Sequence, residues 1–366
     1  MIKYLEKEMM HMAYLMLANR MIFEGEFFGA KGDISGEVVF TTGMTGYLET
    51  LTDQNYHGQI VLQTFPLIGN YGVIPSDFEH KSIAPAAYIV KHPCQEPSNF
   101  RSEGDLGTFL YKKGIVGLCG IDTRMLTKTI RSYGVMNGRI KVDKPTEEDF
   151  AELQGSTVKN PVAQVSVKEK ALYKSSGSKY TVALIDLGAK ESIKRGLLER
   201  DCDVWVLPHK TGAEEIRGLK ADGIILSNGP GDPADNTETI ANIKVLIEAR
   251  IPMFGICLGH QMLALANGFQ TAKLKYGHRG ANQPVKDTQT GRVYISTQNH
   301  GYEVISSSIN REIAEESFIN VNDKTNEGIM YKNVPAFSAQ FHPEASGESI
   351  NTGFLFDRFI KLMEVR

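Results

Sequence analysis

The sequence predicts an α/β protein in two parts: a mixed α/β N-terminal domain, then a C-terminal domain built on a mostly parallel sheet with helices on both faces. Three observations carry this expectation. The chain has 366 residues, more than one ordinary domain of roughly 100–200 residues. After residue 180, short apolar runs alternate with amphipathic segments, the pattern of βαβ units. Between the halves, residues 141–179 are polar, weakly periodic and end in SSGSK, which reads as a flexible linker. The domains are therefore placed at 12–145 and 180–366, with a linker at 146–179.

In the first domain, the apolar run at 9–18 (MMHMAYLMLA) falls short of the ~18 residues needed to cross a bilayer. Glu6 and Glu8 precede it and Asn19 and Arg20 follow it, which argues against a secretory signal. It reads instead as a strand that turns at 18–20 into a second strand over 21–28. Met12 is an alternative start, and residues 1–11 are then an extension. Strands are expected at 37–42, 59–64 and 86–90, with glycines between them.

In the second domain, strands are expected at 181–187, 203–207, 223–226 and 252–257. Helices are expected at 191–200, 239–250 and 258–267, the last closed by Gly268. After Gly291 the signals are mainly of strands, at 293–297, 318–321 and 336–341. An amphipathic helix over 354–364 follows.

Composition narrows the function classes. With 40 basic and 43 acidic residues the formal charge is -3, without the basic excess of a nucleic-acid-binding face. No apolar run is long enough for a membrane span. Hydrophobic residues at 42% and charged residues at 23% exclude bulk disorder. The four cysteines, Cys94, Cys119, Cys202 and Cys257, are far apart with no CxxC pair, so a reducing, cytoplasmic setting is expected and a structural zinc site is not. There is no GxxxxGK[ST] loop and no GxGxxG after a strand, so nothing is shaped to cradle ATP phosphates. No cofactor is expected on this chain.

The sharpest local signal is residues 254–261 (FGICLGHQ). A nucleophile between a strand and a helix, with glycine two residues before and two after, has the pattern of a nucleophile elbow. Gly255 and Gly259 keep the tight turn free of side chains. The helix N-terminus favours a thiolate at Cys257, and the Leu258 N–H can face a developing oxyanion. A buried apolar role is the ordinary fate of a cysteine and is the competing reading, favoured for the other three. A thiolate nucleophile needs an oriented base. His342 follows an expected strand, and Glu344, two residues on in an extended segment, lies on the same side of the chain. Pro343 between them restricts the backbone. The loop at 227–233 (SNGPGDP) sits at the C-terminal end of a parallel strand, where open α/β sheets bind ligands. Gly229 there can supply a second oxyanion donor.

Together these residues resemble the class I glutamine amidotransferases, whose signature is a G-x-C-x-G-x-Q elbow with a later H-P-E; the resemblance covers about residues 179–366. It implies a flavodoxin-like fold, with Cys257 as nucleophile, His342 as general base and acid, and Glu344 as its orienting partner. The implied reaction is thioester formation on the side-chain carbonyl of L-glutamine, release of ammonia, and hydrolysis to glutamate. Residues 36–47 (GEVVFTTGMTGY), 66–72 (PLIGNYG), 120–126 (GIDTRML) and 186–190 (DLGAK) extend the resemblance to the small chains of carbamoyl phosphate synthetase, nearly end to end from about Ala13. That family's glutamine contacts fall on Gly43, Gly229, Gly231, Leu258, Gln261, Asn299, Gly301 and Tyr302. Gly43 is often serine and Tyr302 often phenylalanine in the family. Ser346-Gly347-Glu348 replaces a frequent Pro-Gly-Pro, and Glu191-Ser192 also departs from the usual residues.

The resemblance further implies a partner, the carbamoyl phosphate synthetase large chain, which carries ATP and a divalent cation and receives ammonia through a tunnel. The pair is expected as a heterodimer or a higher hetero-oligomer, and its product feeds arginine or pyrimidine synthesis. Residues 114–140 are a candidate interface stretch, or ordinary folded surface. Two other readings stand beside this one. The first is another amidotransferase, of the anthranilate-synthase type or a free-standing γ-glutamyl hydrolase, which lacks the 36–47 and 120–126 blocks. The second is a catalytically silent scaffold subunit, which has no need of Cys257, Gln261, His342 and Glu344 together.

Overall fold

The computed structural model describes residues 12–153, 158–344 and 352–365. The proposed extension at 1–11 and the departure at Ser346-Gly347-Glu348 lie outside them. The chain divides into two compact units, Met1–Lys159 and Asn160–Arg366.

In the first unit, β1 (Met12–Leu17) and β2 (Ile22–Phe27) form the expected hairpin, with Arg20 in its turn at φ 71°. β3 (Ile34–Thr41), β4 (Ile60–Gln63) and β6 (Ala87–Ile89) fall on the expected strands. Two short strands, β5 (Leu67–Ile68) and β7 (His92–Pro93), pair with each other alone. Two further strands, β8 (Val116–Cys119) and β9 (Met136–Lys141), were not anticipated. They close the sheet into a barrel in the order β1-β2-β8-β6-β4-β3-β9. Residues 114–140 thus supply two barrel strands, and all four residues of β8 are buried. They also supply one helix, α3 (Thr123–Tyr133), whose Met125 and Tyr133 are exposed. α1 (Tyr47–Thr52) and α2 (Leu106–Lys112) pack Leu48, Leu51, Leu106 and Leu110 onto the apolar cluster that holds Val39, Val61 and Tyr88.

The segment expected as a flexible linker holds three short regular elements, a correction to that part of the sequence reading. It contains α4 (Glu147–Leu153), α5 (Pro161–Val165) and β10 (Ala171–Tyr173), the last hydrogen-bonded to the second unit's sheet. Its polar composition reflects exposed faces: all three residues of β10 are exposed, so no apolar alternation marked it as a strand.

Among the described residues, the second unit's sheet has ten strands. Its parallel core runs β12 (Cys202–Pro208), β11 (Tyr180–Asp186), β13 (Gly223–Leu226), β14 (Met253–Ile256), β19 (Ala336–Ala339). Beyond β19 the sheet continues antiparallel through β18 (Asn326–Tyr331), β17 (Ala314–Asn320), β15 (Thr271–Asp287) and β16 (Val293–Val304). The sheet is therefore parallel at its centre and antiparallel at both edges, through β18, β17, β15 and β16 on one side and through β10, paired with β12, on the other. On β11, Ala183 and Ile185 face one layer, with Ile216 of α7 (Ala213–Gly218), Ile243 of α8 (Thr237–Glu248) and Met262 of α9 (Leu258–Ala266). Val182 and Leu184 face the other, with Ile193 of α6 (Glu191–Leu198) and Phe359 of α10 (Phe354–Glu364). Strands buried on both faces read as continuous apolar runs, which is why this core was legible.

Candidate active site

Cys257 sits where β14 ends and α9 begins, 2% exposed, with φ 52° and ψ -103°. A positive φ is costly for a non-glycine residue and persists where the surroundings hold it. Here the Cys257 N–H donates to the Ala339 carbonyl at 2.8 Å and the Gly259 N–H to that of Ser227 at 3.0 Å. Both elbow glycines are needed for close approach. A Cβ at Gly255 would lie 2.7 Å from the Gly259 carbonyl oxygen, and one at Gly259 only 2.2 Å from that of Leu226. Because that clash is with backbone in a packed core, Gly259→Ala is expected to cost at least about 2 kcal/mol, read as a lowered denaturant midpoint. An unchanged midpoint would contradict the packing described.

β19 lies parallel beside β14, pairing Ile256 with Ala339, so the chain leaving β19 passes the elbow. Its His342 is fully buried, and its N–H donates to the Thr297 carbonyl at 2.9 Å. His342 Nδ1 meets Glu344 Oε1 at 2.6 Å, both side chains being closed to solvent. The other ring nitrogen is left for Cys257, with which the imidazole shares a hydrogen bond. Burial favours the neutral ring, and the charge of Lys190 adds to that. The charge of Glu344 and the hydrogen bonds to Cys257 and Glu344 outweigh both, so His342 is held above its ordinary value. Burial opposes ionisation of Glu344, but His342 and Lys190 hold it below the usual carboxylate range.

Lys190 was not singled out from the sequence, although it closes the DLGAK block. Its ammonium is 7% exposed and lies 3.5 Å from Glu344 Oε1. A lysine ordinarily reads as a solvated charge; a buried one beside a catalytic carboxylate is visible only in three dimensions. Its charge opposes protonation of both His342 and Glu344. Lys190→Met is therefore expected to move the acid limb of kcat/KM to higher pH, since the proton then leaves the pair less readily. A pH–rate profile whose acid limb stayed in place would remove Lys190 from this role.

The second unit also gathers most of the expected substrate contacts. Gln261 donates to the Tyr302 carbonyl at 2.8 Å and to Gln340 Oε1 at 2.9 Å. The Asn299 carbonyl accepts from Cys257 Sγ at 3.7 Å, which brings β16, with Gly301 and Tyr302, to the elbow. Leu258 opens α9 and is buried. The 227–231 loop is pinned to the DLGAK segment: Ser227 Oγ accepts from the Leu187 N–H at 2.9 Å, and Asn228 Nδ2 donates to the Gly188 carbonyl at 3.0 Å. A Cβ at Gly229 would lie 2.2 Å from the Leu187 carbonyl oxygen, so only glycine fits. Gly231 has φ +92°. Gly43 belongs to the first unit, where its carbonyl accepts from Gln63 Nε2 at 2.5 Å and Gln63 Oε1 in turn accepts from the Tyr88 hydroxyl at 3.0 Å. His260, beside the elbow, is a core residue: burial pushes its imidazole down to about 3, and Nδ1 is bonded to Ser338 Oγ at 2.8 Å.

Comparison with known proteins agrees with this geometry. Residues 183–362 match the model of the class-I glutamine amidotransferases, and residues 15–140 that of the carbamoyl-phosphate synthase small chain, CPSase domain. The carbamoyl phosphate synthase small chain of Bacillus thuringiensis subsp. konkukian is 48% identical over 96% of this chain and 95% of its own length. That of Clostridium perfringens is 47% identical over 95% of this chain and 99% of its own. The pyrimidine-specific small chain of Bacillus subtilis is 48% identical over 96% and 95%.

Proposed function

The chain belongs to the family of carbamoyl phosphate synthase small chains, and from that premise we propose that Cys257, His342 and Glu344 hydrolyse L-glutamine in it. It is the glutamine-hydrolysing small chain of the synthase, with a class-I amidotransferase domain. The observation that carries the residue assignment is the continuous contact Cys257–His342–Glu344 at the ends of two adjacent parallel strands.

In this reading Cys257 Sγ attacks the side-chain carbonyl carbon of glutamine while its proton passes to His342. The proton then moves to the departing nitrogen, ammonia leaves, and a thioester remains. Water, losing a proton to His342, attacks that thioester; the C–S bond breaks, glutamate departs, and Cys257 regains the proton. The N–H groups of Leu258 and Gly229 are the proposed donors to the oxyanion, each worth about 2.7–4 kcal/mol of transition-state stabilisation. Gly43, Gly231, Gln261, Asn299, Gly301 and Tyr302 are the proposed contacts to the rest of the substrate. Glu344 holds the His342 ring rather than taking its proton.

A large-chain partner follows from membership in the family. We further propose that ATP and a divalent cation act on that chain and that ammonia reaches it through an internal tunnel. The pair is proposed to be cytoplasmic and at least heterodimeric; no described helix is long and apolar enough to cross a membrane. The test is the glutaminase rate of this chain alone and with its co-expressed large chain. Slow hydrolysis alone and acceleration in a co-purifying complex are expected. An unchanged rate without co-purification would favour a free-standing hydrolase.

A further inference from the structure

His278, His300 and Glu327 are all buried, and each offers a ligand atom within 4.8 Å of the others. They come from three strands: His278 on β15 is the cross-strand partner of His300 on β16, and Glu327 lies on β18. The two imidazoles meet edge to face, with centroids 4.9 Å apart. Each side chain has its outer atom already held. His278 Nε2 is bonded to Asp323 Oδ2 at 2.7 Å, His300 Nδ1 to the Tyr302 carbonyl at 2.8 Å, and Glu327 Oε1 accepts from Asn320 Nδ2 at 3.1 Å. With Nε2 of His278 and Nδ1 of His300 as donors, the inward atoms are acceptors.

Those inward atoms are poorly satisfied. His278 Nδ1 and Glu327 Oε2 have no hydrogen-bond partner among the described residues, and His278 Nδ1 lies 3.4 Å from Glu327 Oε1. His300 Nε2 has a contact of 3.3 Å with Gln298 Oε1. A proton on His278 Nδ1 would satisfy one carboxylate oxygen and still leave Oε2 orphaned in the core, at a cost of about 1–3 kcal/mol. A cation would instead use both rings and the carboxylate. Imidazoles tied from behind to a carboxylate and a backbone carbonyl are what orients ligands around a metal. Arg279, whose charge opposes protonation of His300, is countered by the carboxylates of Asp323 and Glu327 beside His278.

We propose that His278, His300 and Glu327 bind one divalent transition-metal ion, zinc by the nitrogen, nitrogen and oxygen donor set, with water as fourth ligand. The ion ties β15, β16 and β18 together at a residue flanked by Asn299 and Gly301. Any proton on His278 Nδ1 is released when it binds. The sequence did not show this site because its ligands are far apart in the chain and none is a cysteine. Its effect on glutamine, a rise in KM larger than any fall in kcat when the ion is removed, rests on the reading above; metal binding itself does not.

The test uses the full chain with Cys257→Ser, which removes the elbow thiol as a rival ligand and makes the result independent of turnover. Metal-stripped protein is titrated with zinc against a chromophoric chelator, and with cobalt(II) followed by its visible absorption. One equivalent per chain is expected, with cobalt bands of nitrogen and oxygen ligation. His278→Gln and Glu327→Gln should each weaken binding about tenfold or more, with folding checked by circular dichroism. No bound equivalent in the folded chain, a sulfur-to-cobalt charge-transfer band, or an affinity that neither substitution changes would overturn the site. The cobalt spectrum of the chain bearing Cys257→Ser alone decides the matter should either ligand variant fail to fold.

Discussion

Cys257→Ser is expected to lower glutamine turnover by about four orders of magnitude or more while leaving the fold intact, because loss of a covalent nucleophile removes the whole acylation route rather than one contact. The substitution is nearly isosteric, and a serine hydroxyl can donate to the same Asn299 carbonyl that accepts from Sγ at 3.7 Å. The backbone at φ 52° is held by the Ala339 carbonyl and the packed glycines, not by the sulfur. Stability should therefore change by less than about 1 kcal/mol, and glutamine should still bind. The variant separates two explanations of any loss: unchanged denaturant midpoint and retained glutamine affinity with no turnover place the defect in the chemistry. Turnover near the wild-type rate would move the nucleophile elsewhere in the molecule.

Legibility in the sequence followed burial. β11, β13 and β14 are covered on both faces, so each appeared as an unbroken apolar run, and the elbow between β14 and α9 followed from them. β15 left no such signature. It contains Gly277, Gly280 and Pro284, and its pairing with β16 shifts register between Lys273 and His278 and again between Gly280 and Gln283. Each irregularity breaks the alternation from which a strand is recognised. β8 and β9 were missed for a related reason. β8 is only four residues long, and β9 alternates partly buried and buried positions around a barrel whose closure depends on pairing with strands far away in sequence. The triad was legible because His-Pro-Glu is local. Lys190 was not, because its partner Glu344 lies on a different strand end and their contact is made only by the sheet.

Replacing His342 by Asn is expected to abolish turnover about as fully as loss of Cys257, since no other group then accepts the thiol proton, whereas Glu344→Gln should be about tenfold to a hundredfold less damaging. The difference follows from the geometry. Glu344 meets the ring nitrogen remote from Cys257 at 2.6 Å, so it fixes the ring's orientation without touching the reacting atoms. Its charge also sets the proton balance. Glu344 raises the affinity of His342 for a proton, and Lys190 lowers it. Neutralising Glu344 must therefore move the acid limb of kcat/KM to lower pH, opposite in sign to the shift expected for Lys190→Met. The same balance acts on stability. Glu344 is held low in the folded chain, so the stability it contributes is present above the ordinary carboxylate value of about 4.3 and is lost as pH falls toward its depressed folded value. Denaturation below that ordinary value should consequently show a shallower loss of stability in Glu344→Gln than in wild type. Opposite shifts of the two acid limbs would establish that a buried carboxylate and a buried ammonium jointly tune one histidine. An acid limb left in place by Glu344→Gln would mean that Glu344 acts on the ring by orientation alone.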